Sequence, residues 1–265
     1  MSYENILFDL TDNVATITLN RAETYNSLSL NTLKELITTF KTLHKDPKVR
    51  AVILTGTGKG FSSGADLMEI ASRLETVDIT QALRDGLNTL ANTMRTLEKP
   101  IICAVNGVAA GAGASLPLMA DYRLASENAS FVFAAFVNIG LVPDAGGTYL
   151  LQQLVGAGKA FELFLMADAK NRVTAQQALD YGIVNRVVPH DALLTEAQII
   201  AAKLAHMPTK AIGWTKRAIY RAASTTLADA LEYEALLQGA AFQTHDFKEG
   251  VQAFIEKRSP IFKGE

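Results

Sequence analysis

The stretches FSSGAD (residues 61–66) and NGVAAGAGA (residues 106–114) decide how this chain folds and where its chemistry lies. Each follows a short apolar run typical of a buried strand and precedes a helix-like pattern. Glycine and alanine let the backbone approach a ligand closely, and they leave bare N–H groups at the positive end of a helix. Two such N–H groups that converge on one oxygen would form an oxyanion hole. The pair of loops therefore predicts a site that polarises a carbonyl group.

A lone acid, Asp144, follows in the stretch VPDAGG (residues 142–147). A turn acid after Pro143 is the ordinary interpretation of such a sequence. However, no charged residue occurs from Phe131 to Val142, so a carboxylate at the end of this segment would be desolvated and its pKa raised. A carboxylate with a raised pKa is suited to accepting and returning a proton. We therefore predict that Asp144 is the catalytic acid/base beside the two loops.

The composition is that of a globular enzyme of 265 residues, 49% apolar and 20% charged. With a net charge of −2, the chain lacks the excess of basic residues that is typical of proteins that bind nucleic acid. The single Cys103 and four scattered histidines predict neither a disulfide nor a metal site, and they suit a reducing compartment. The uncharged run from Ile101 to Ala120 could span a membrane, but Asn106, Pro117 and several glycines favour a buried strand, loop and helix. With no signal-peptide pattern, we expect a cytoplasmic protein without a membrane segment.

Strand-like and helix-like patterns alternate up to about residue 150, which predicts an α/β core. A hairpin is expected over residues 6–19, and buried strands at 51–54, 101–105, 122–125 and 131–133. Helices are expected at 30–43 and 79–97, and from residue 160 onward the pattern is almost wholly helical. We therefore predict a core over residues 1–200 and a helical C-terminal region over residues 201–265 that caps the core or builds an oligomer.

Each loop also has other interpretations. Small residues can simply let a helix pack closely on a sheet, and glycine-rich loops can bind nucleotide phosphates. Neither loop ends in the Lys-Ser/Thr pair of a P-loop, and the spacing at residues 107–111 does not match the dinucleotide-binding motif. Asp66 and Glu69 have the spacing of a helix capping box, a structural role that would orient the N–H of Ala65.

Taken together, these stretches resemble the crotonase, or enoyl-CoA hydratase/isomerase, superfamily over essentially the whole chain. The order and spacing of six segments carry the resemblance, and as a set they are highly specific. These segments are residues 19–21, 60–66, 99–107, 144–148, 178–187 and 249–258.

The resemblance implies an α/β fold, a crotonase-like spiral of ββα units with a helical C-terminal subdomain. It also implies an acyl-CoA thioester substrate, a homotrimer or hexamer, no metal, and no cofactor beyond the coenzyme A of the substrate. The oxyanion-hole donors are then the N–H groups of Ala65 and Ala112. Basic groups near the coenzyme A phosphates are then Lys59 and Lys257, the latter from a neighbouring subunit, although solvated surface charges are an equal alternative. The implied substrate-contacting residues are Ser63, Asp66, Leu67, Met68, Lys59, Phe136, Leu141 and Lys257.

Two departures from the family pattern bear on the reaction. The family's hydratases use two glutamates to add water, and the corresponding positions hold Ser115 and Phe136 here. Asp144 instead matches a position that several isomerases of the family use as an acid/base. The resemblance therefore implies an acyl-CoA isomerase that acts on a double bond or a ring epoxide. The alternatives are an enoyl-CoA hydratase whose water is held by Asp144 and Ser115, and a catalytically silent acyl-CoA-binding protein.

Overall fold

The structure is a computed structural model that describes residues 3–73 and 75–265. The strands are β1 (Ile6–Thr11), β2 (Val14–Leu19), β3 (Ala51–Gly56), β4 (Gly60–Ser62), β5 (Ile101–Val105), β6 (Val108–Ala110), β7 (Tyr122–Ser126), β8 (Ser130–Val132), β9 (Val173–Thr174) and β10 (Arg186–Val188). The helices are α1 (Leu30–Lys45), α2 (Leu67–Ala71), α3 (Ile79–Leu83), α4 (Thr89–Thr96), α5 (Ala112–Ser115), α6 (Gly147–Val155), α7 (Ala157–Met166), α8 (Ala175–Asp180), α9 (Leu193–Ala205), α10 (Thr209–Ala222), α11 (Leu227–Phe242) and α12 (His245–Glu256).

The described strands form two sheets. The larger has the order β1-β2-β3-β5-β7-β10, in which only the β1–β2 hairpin is antiparallel. The smaller has the order β4-β6-β8-β9, parallel except for its last pair. From β3 to β8 the chain alternates between the sheets, placing one strand in each before the next helix. This is the predicted crotonase-like spiral of ββα units.

The side chains of β3 and β5 alternate between two cores, because successive residues of a strand point to opposite faces. Val52, Leu54 and Cys103 belong to the main core, on the side of the smaller sheet. Ile53 and Ile102 belong to a second cluster, where α9 contributes Leu193, Ala197, Ala201 and Ala205. Burial on both faces explains why the runs at 51–54 and 101–105 lack polar residues, as predicted.

The structure corrects several details of the sequence-based expectations. The two small-residue stretches are not simple loops, because each contains a short strand of the smaller sheet, β4 or β6. The helix expected at 79–97 is divided by a π-helical turn at Arg84–Asn88. Helix α6 lies where none was expected, and β9 and β10 interrupt the stretch expected to be almost wholly helical. Strands of two or three residues have too few positions to show an alternating pattern.

Candidate active site

The two small-residue stretches meet backbone to backbone at Gly64. This residue has φ +87, and a Cβ there would lie 2.6 Å from the carbonyl oxygen of Ala110 and 3.1 Å from the nitrogen of Ala112. Any larger residue would therefore be strained and would push the stretches apart. A Cβ on Gly113 would likewise lie 2.2 Å from the oxygen of Ser62. The glycines serve close packing between turns of the spiral, and this packing sets the second stretch beside Ala65.

The backbone N–H groups of Ala65 and Ala112 are left free by this arrangement. Leu28 pairs with Ala65 in a short parallel bridge, donating to the Gly64 oxygen at 2.7 Å and accepting from the Asp66 nitrogen at 3.3 Å. The bridge does not use the N–H of Ala65 itself. Ala112 is the first residue of α5, a position whose N–H has no acceptor within the helix. Within residues 3–73 and 75–265, neither N–H has a hydrogen-bond acceptor, and both residues line one cavity.

Asp66 holds the first stretch in place. Its carboxylate accepts hydrogen bonds from Arg21 at 2.9 Å, from Ser27 at 3.0 Å and from the Glu69 nitrogen at the start of α2 at 3.2 Å. Burial raises the pKa of Asp66, but these bonds outweigh burial and leave the pKa below its ordinary value. The capping box forms only in part, because the Glu69 carboxylate accepts from the Leu30 nitrogen at 3.0 Å instead. Asp66 lines the cavity, but both oxygens of its carboxylate accept hydrogen bonds from other residues of the chain.

The cavity has a volume of about 190 Å³ and a largely apolar wall. The wall comes from α1, from the segment after α2 and from α3 with its π-helical turn, through Leu33, Val77, Leu83 and Leu87 among others. A π-helical turn often marks a functional site, and here Gly86 lets the turn approach Leu33, since a Cβ would lie 3.1 Å from its Cδ1. For scale, an apolar cavity of about 150 Å³ holds benzene. The cavity can therefore hold a ring-sized group.

Asp144 lies at this cavity, in the turn that leads into α6. The turn is built by Ala145 and Gly146, which have φ of +55 and +73. Its hydrogen bond runs from the Gly147 nitrogen to the backbone oxygen of Asp144 at 2.8 Å, so the turn does not use the side chain. Burial raises the pKa of Asp144 from its ordinary value of 3.8 to about 6. A carboxylate in this state is a competent proton acceptor at neutral pH.

Two buried side-chain atoms in the described part of the chain lack a hydrogen-bond partner, Asp144 Oδ1 and Ser115 Oγ. Such atoms are rare in folded proteins and commonly mark function or bound water. Ser115 is fully buried and does not line the cavity, and its Oγ would lie 2.5 Å from a Cβ on Gly147. Phe136 does line the cavity, next to Gly111. The two positions that hold glutamates in the family's hydratases therefore contribute no proton-transferring group to the cavity.

The structure brings most of the predicted site residues together. Ser63, Leu67 and Leu141 line the cavity with the residues described above, and the two leucines are half exposed. Met68 follows Leu67 but is 81% exposed and lies outside the lining. Lys59 and Lys257 are exposed and do not line the cavity of this single chain, so their contact with coenzyme A phosphates stays a prediction.

Some residues of the site were not predicted from the sequence. Arg21 belongs to a segment that carried the family resemblance, but its role in holding Asp66 depends on a contact between residues 45 positions apart. The apolar wall was missed because Leu33, Leu83 and Leu87 have the spacing of ordinary core positions in a helix. Helical periodicity shows that these side chains are buried, but it does not distinguish a core from a cavity wall.

Known proteins resemble this chain over nearly its whole length. The sequence profile of the enoyl-CoA hydratase/isomerase family matches residues 9–265. The chain is 40% identical to the 1,2-epoxyphenylacetyl-CoA isomerase of Escherichia coli K12, over 98% of this chain and 99% of that one. It is 36% identical to the short-chain-enoyl-CoA hydratase of Clostridium acetobutylicum, over 97% of each. The crystal structure of an enoyl-CoA hydratase from Bacillus anthracis superposes with a TM-score of 0.91 at 38% identity, covering 99% of this chain and 100% of that one. No helix in the described ranges combines the length and apolar character needed to cross a membrane.

Proposed function

Because the chain belongs to the enoyl-CoA hydratase/isomerase family, we propose that it is an acyl-CoA isomerase with Asp144 as its proton shuttle. The observation that carries this proposal is the state of Asp144. Its Oδ1 is buried without a partner, its pKa is raised to about 6, and it shares a cavity with the free N–H groups of Ala65 and Ala112. Among the described residues that line that cavity, no other side chain combines a raised pKa with an unpartnered oxygen.

The reaction begins with the thioester carbonyl oxygen held by the N–H groups of Ala65 and Ala112. Asp144 removes a proton from a carbon activated by that carbonyl, and the electron pair of the broken C–H bond becomes an enolate. The two N–H groups stabilise its negative oxygen, and the loss of one such donor costs about 3 kcal/mol of transition-state stabilisation. Asp144 then returns the proton to a different carbon. The double bond moves, with no change in composition and no further reactant.

The acyl group that we favour is a compact ring. A volume of about 190 Å³ with apolar walls suits a ring-sized group. The relative from Escherichia coli is a 1,2-epoxyphenylacetyl-CoA isomerase by name. We therefore propose ring-epoxide isomerisation, in which 1,2-epoxyphenylacetyl-CoA opens to an oxepin thioester, as the leading form of the reaction. Isomerisation of an enoyl double bond is the simpler form of the same proton transfer.

Hydration is the second candidate, and it is supported by relatives that are named as enoyl-CoA hydratases. It would need a water molecule held by Asp144 and Ser115, whereas Ser115 lies outside the cavity. Two measurements on the wild-type protein distinguish the candidates. We expect exchange of substrate protons with D₂O, followed by NMR, and slow or absent hydration of crotonyl-CoA, followed as loss of the enoyl thioester absorbance. Rapid hydration would favour a hydratase, and binding without proton exchange would indicate a catalytically silent protein.

We further infer that residues 201–265 build a homotrimer or hexamer on a core of residues 1–200. Helix α11 buries none of its residues in the single chain. Phe242 and Phe254 are 58% and 85% exposed on neighbouring helices. Large exposed apolar patches mark sites of interaction with another protein. The same assembly would bring Lys257 of one subunit towards the coenzyme A of the next. Sedimentation at micromolar concentration tests this proposal, and a monomer would contradict it.

A further inference from the structure

A second cavity, distinct from the candidate active site, lies where α10 packs against the core. It has a volume of about 480 Å³ and shares no lining residue with the acyl cavity. Two arginines, Arg95 on α4 and Arg123 on β7, contribute to its lining. Much of the remaining lining is apolar and comes from Leu118, Leu150, Leu154, Ile219 and Ala223.

The acid at this cavity, Asp121, is fully engaged by other groups. Its Oδ2 accepts from Lys216 Nζ at 2.9 Å and from the Ile101 nitrogen at 2.8 Å, and its Oδ1 accepts from the Tyr220 hydroxyl. This network joins α10 to the start of β5 and explains why Lys216 is buried. Three cations, Arg95, Arg123 and Lys216, therefore share one carboxylate, so the cluster carries an excess of positive charge.

The two arginines retain N–H groups without acceptors. Arg123 is only 7% exposed, and it donates from Nε to the Ile183 oxygen at 2.7 Å and from Nη1 to the Ala120 oxygen at 2.8 Å. In the described part of the chain, nothing accepts a hydrogen bond from its Nη2 or from any nitrogen of Arg95. The Arg95 guanidinium instead stacks on the Tyr220 ring, with its central carbon 3.1 Å from the ring centroid. Burial lowers the pKa of Arg123 and outweighs the opposing effect of nearby Asp121.

We propose that this cavity is a binding site for a small organic carboxylate with an apolar tail. Guanidinium groups whose charge is only partly balanced and that keep free N–H donors bind a carboxylate through charge-assisted hydrogen bonds, and the planar fork of arginine favours that geometry. The apolar walls accommodate a hydrocarbon tail, whereas inorganic phosphate has no apolar part to contact them. The Tyr220 ring fixes Arg95 in position before the ligand arrives, which reduces the entropy lost on binding.

Isothermal titration of the wild-type protein with sodium hexanoate tests the site, with hexan-1-ol and sodium phosphate as probes that lack the charge or the tail. We expect saturable binding of hexanoate and weak binding of both other probes. Arg95→Gln should weaken hexanoate binding by about tenfold or more, because it removes a charged donor. The matched control is Arg172→Gln, which changes an exposed arginine outside both cavities and should leave binding unchanged.

A second variant covers the case in which Arg95→Gln fails to fold. Leu154→Glu places a carboxylate on the cavity wall at a residue that is 36% exposed, so it should fold and abolish hexanoate binding by occupying the arginines. Hexanoate binding that is unaffected by Arg95→Gln and by Leu154→Glu would overturn the proposal, because the probe would then occupy another site, such as the acyl cavity. Absence of hexanoate binding to the wild-type protein would also overturn it. If the oligomer then dissociated in the Arg95→Gln variant, the arginines would be assigned to a carboxylate of a second copy of the chain.

Discussion

Asp144→Asn should have opposite effects on activity and on stability. Asparagine keeps the shape of aspartate but cannot accept a proton, so the isomerase rate should fall by roughly a hundredfold to ten-thousandfold, the range for a lost general base. Acyl-CoA binding should be retained, because Ala65 and Ala112 are unchanged. The wild-type rate should fall as the pH drops below about 6, where Asp144 becomes protonated, and the residual activity of the variant should not show this dependence.

The effect on stability follows from the same buried carboxylate. Folding raises the pKa of Asp144 from 3.8 to about 6, so the folded state disfavours the charged form. Near pH 4 the group is protonated in the folded state and about half ionised in the unfolded chain, so most of the effect is absent and Asp144→Asn should change the free energy of unfolding little. Well above pH 6 it is ionised in both states, and the buried charge destabilises the wild-type protein. At about 1.4 kcal/mol per pH unit the full effect is about 3 kcal/mol, and partial exposure to solvent reduces it to about 2 kcal/mol.

Two assays measure these effects. Conversion of 3-hexenoyl-CoA to the 2-enoyl thioester, followed by absorbance, gives the rate, and urea unfolding at pH 4 and pH 7.5 gives the stability. The matched control is Asp191→Asn, which changes an exposed acid outside the cavity and should affect neither quantity. A near-normal rate for Asp144→Asn would refute the assignment of the base. Glu69 would then be the next candidate because it lines the cavity, whereas Glu162 is exposed and pairs with Lys159 at 2.7 Å.

Substitutions at three further positions, two of them with a control variant, test the geometry of the site. Gly64→Ala should lower the free energy of unfolding by about 3 kcal/mol and remove most of the activity. The new Cβ would clash with the Ala110 oxygen, and the φ of this residue is unfavourable for alanine. Gly140→Ala is the control, with φ +77 but open space around it, and should cost only about 1 kcal/mol. Ala112→Pro should abolish turnover but still fold, because the first position of a helix tolerates proline, whereas Ala112→Gly should retain much of the activity. Equal activity in the two Ala112 variants would refute its role as a donor. Ser115→Ala should lower the isomerase rate by less than about tenfold. It should stabilise the fold by about 1 kcal/mol, because it removes a buried unpaired hydroxyl. A severe loss of activity would instead favour the hydratase.

The sequence was informative wherever a local pattern has a single physical cause. The uncharged runs at 51–54 and 101–105 predicted buried strands, because a strand covered on both faces cannot solvate polar side chains. The uncharged segment before Asp144 predicted a desolvated carboxylate, which agrees with its raised pKa. The hairpin over residues 6–19 also formed as expected. In these cases a short local pattern carries the signal, although distant elements complete the burial of β3 and β5.

By itself, then, the sequence determined the α/β class, the two small-residue stretches and the isolated acid, while the tertiary structure decided how they act together. The contact of Gly64 with Ala110 and Ala112 joins residues more than 40 positions apart, and no local pattern encodes that approach. The exclusion of Ser115 from the cavity depends on how α6 packs against α5, and the excess charge at Arg95 and Arg123 depends on where α10 docks. Local propensities specify elements and their buried faces. The packing of distant elements specifies which free N–H groups, carboxylates and cations share a cavity, and the chemistry depends on that placement.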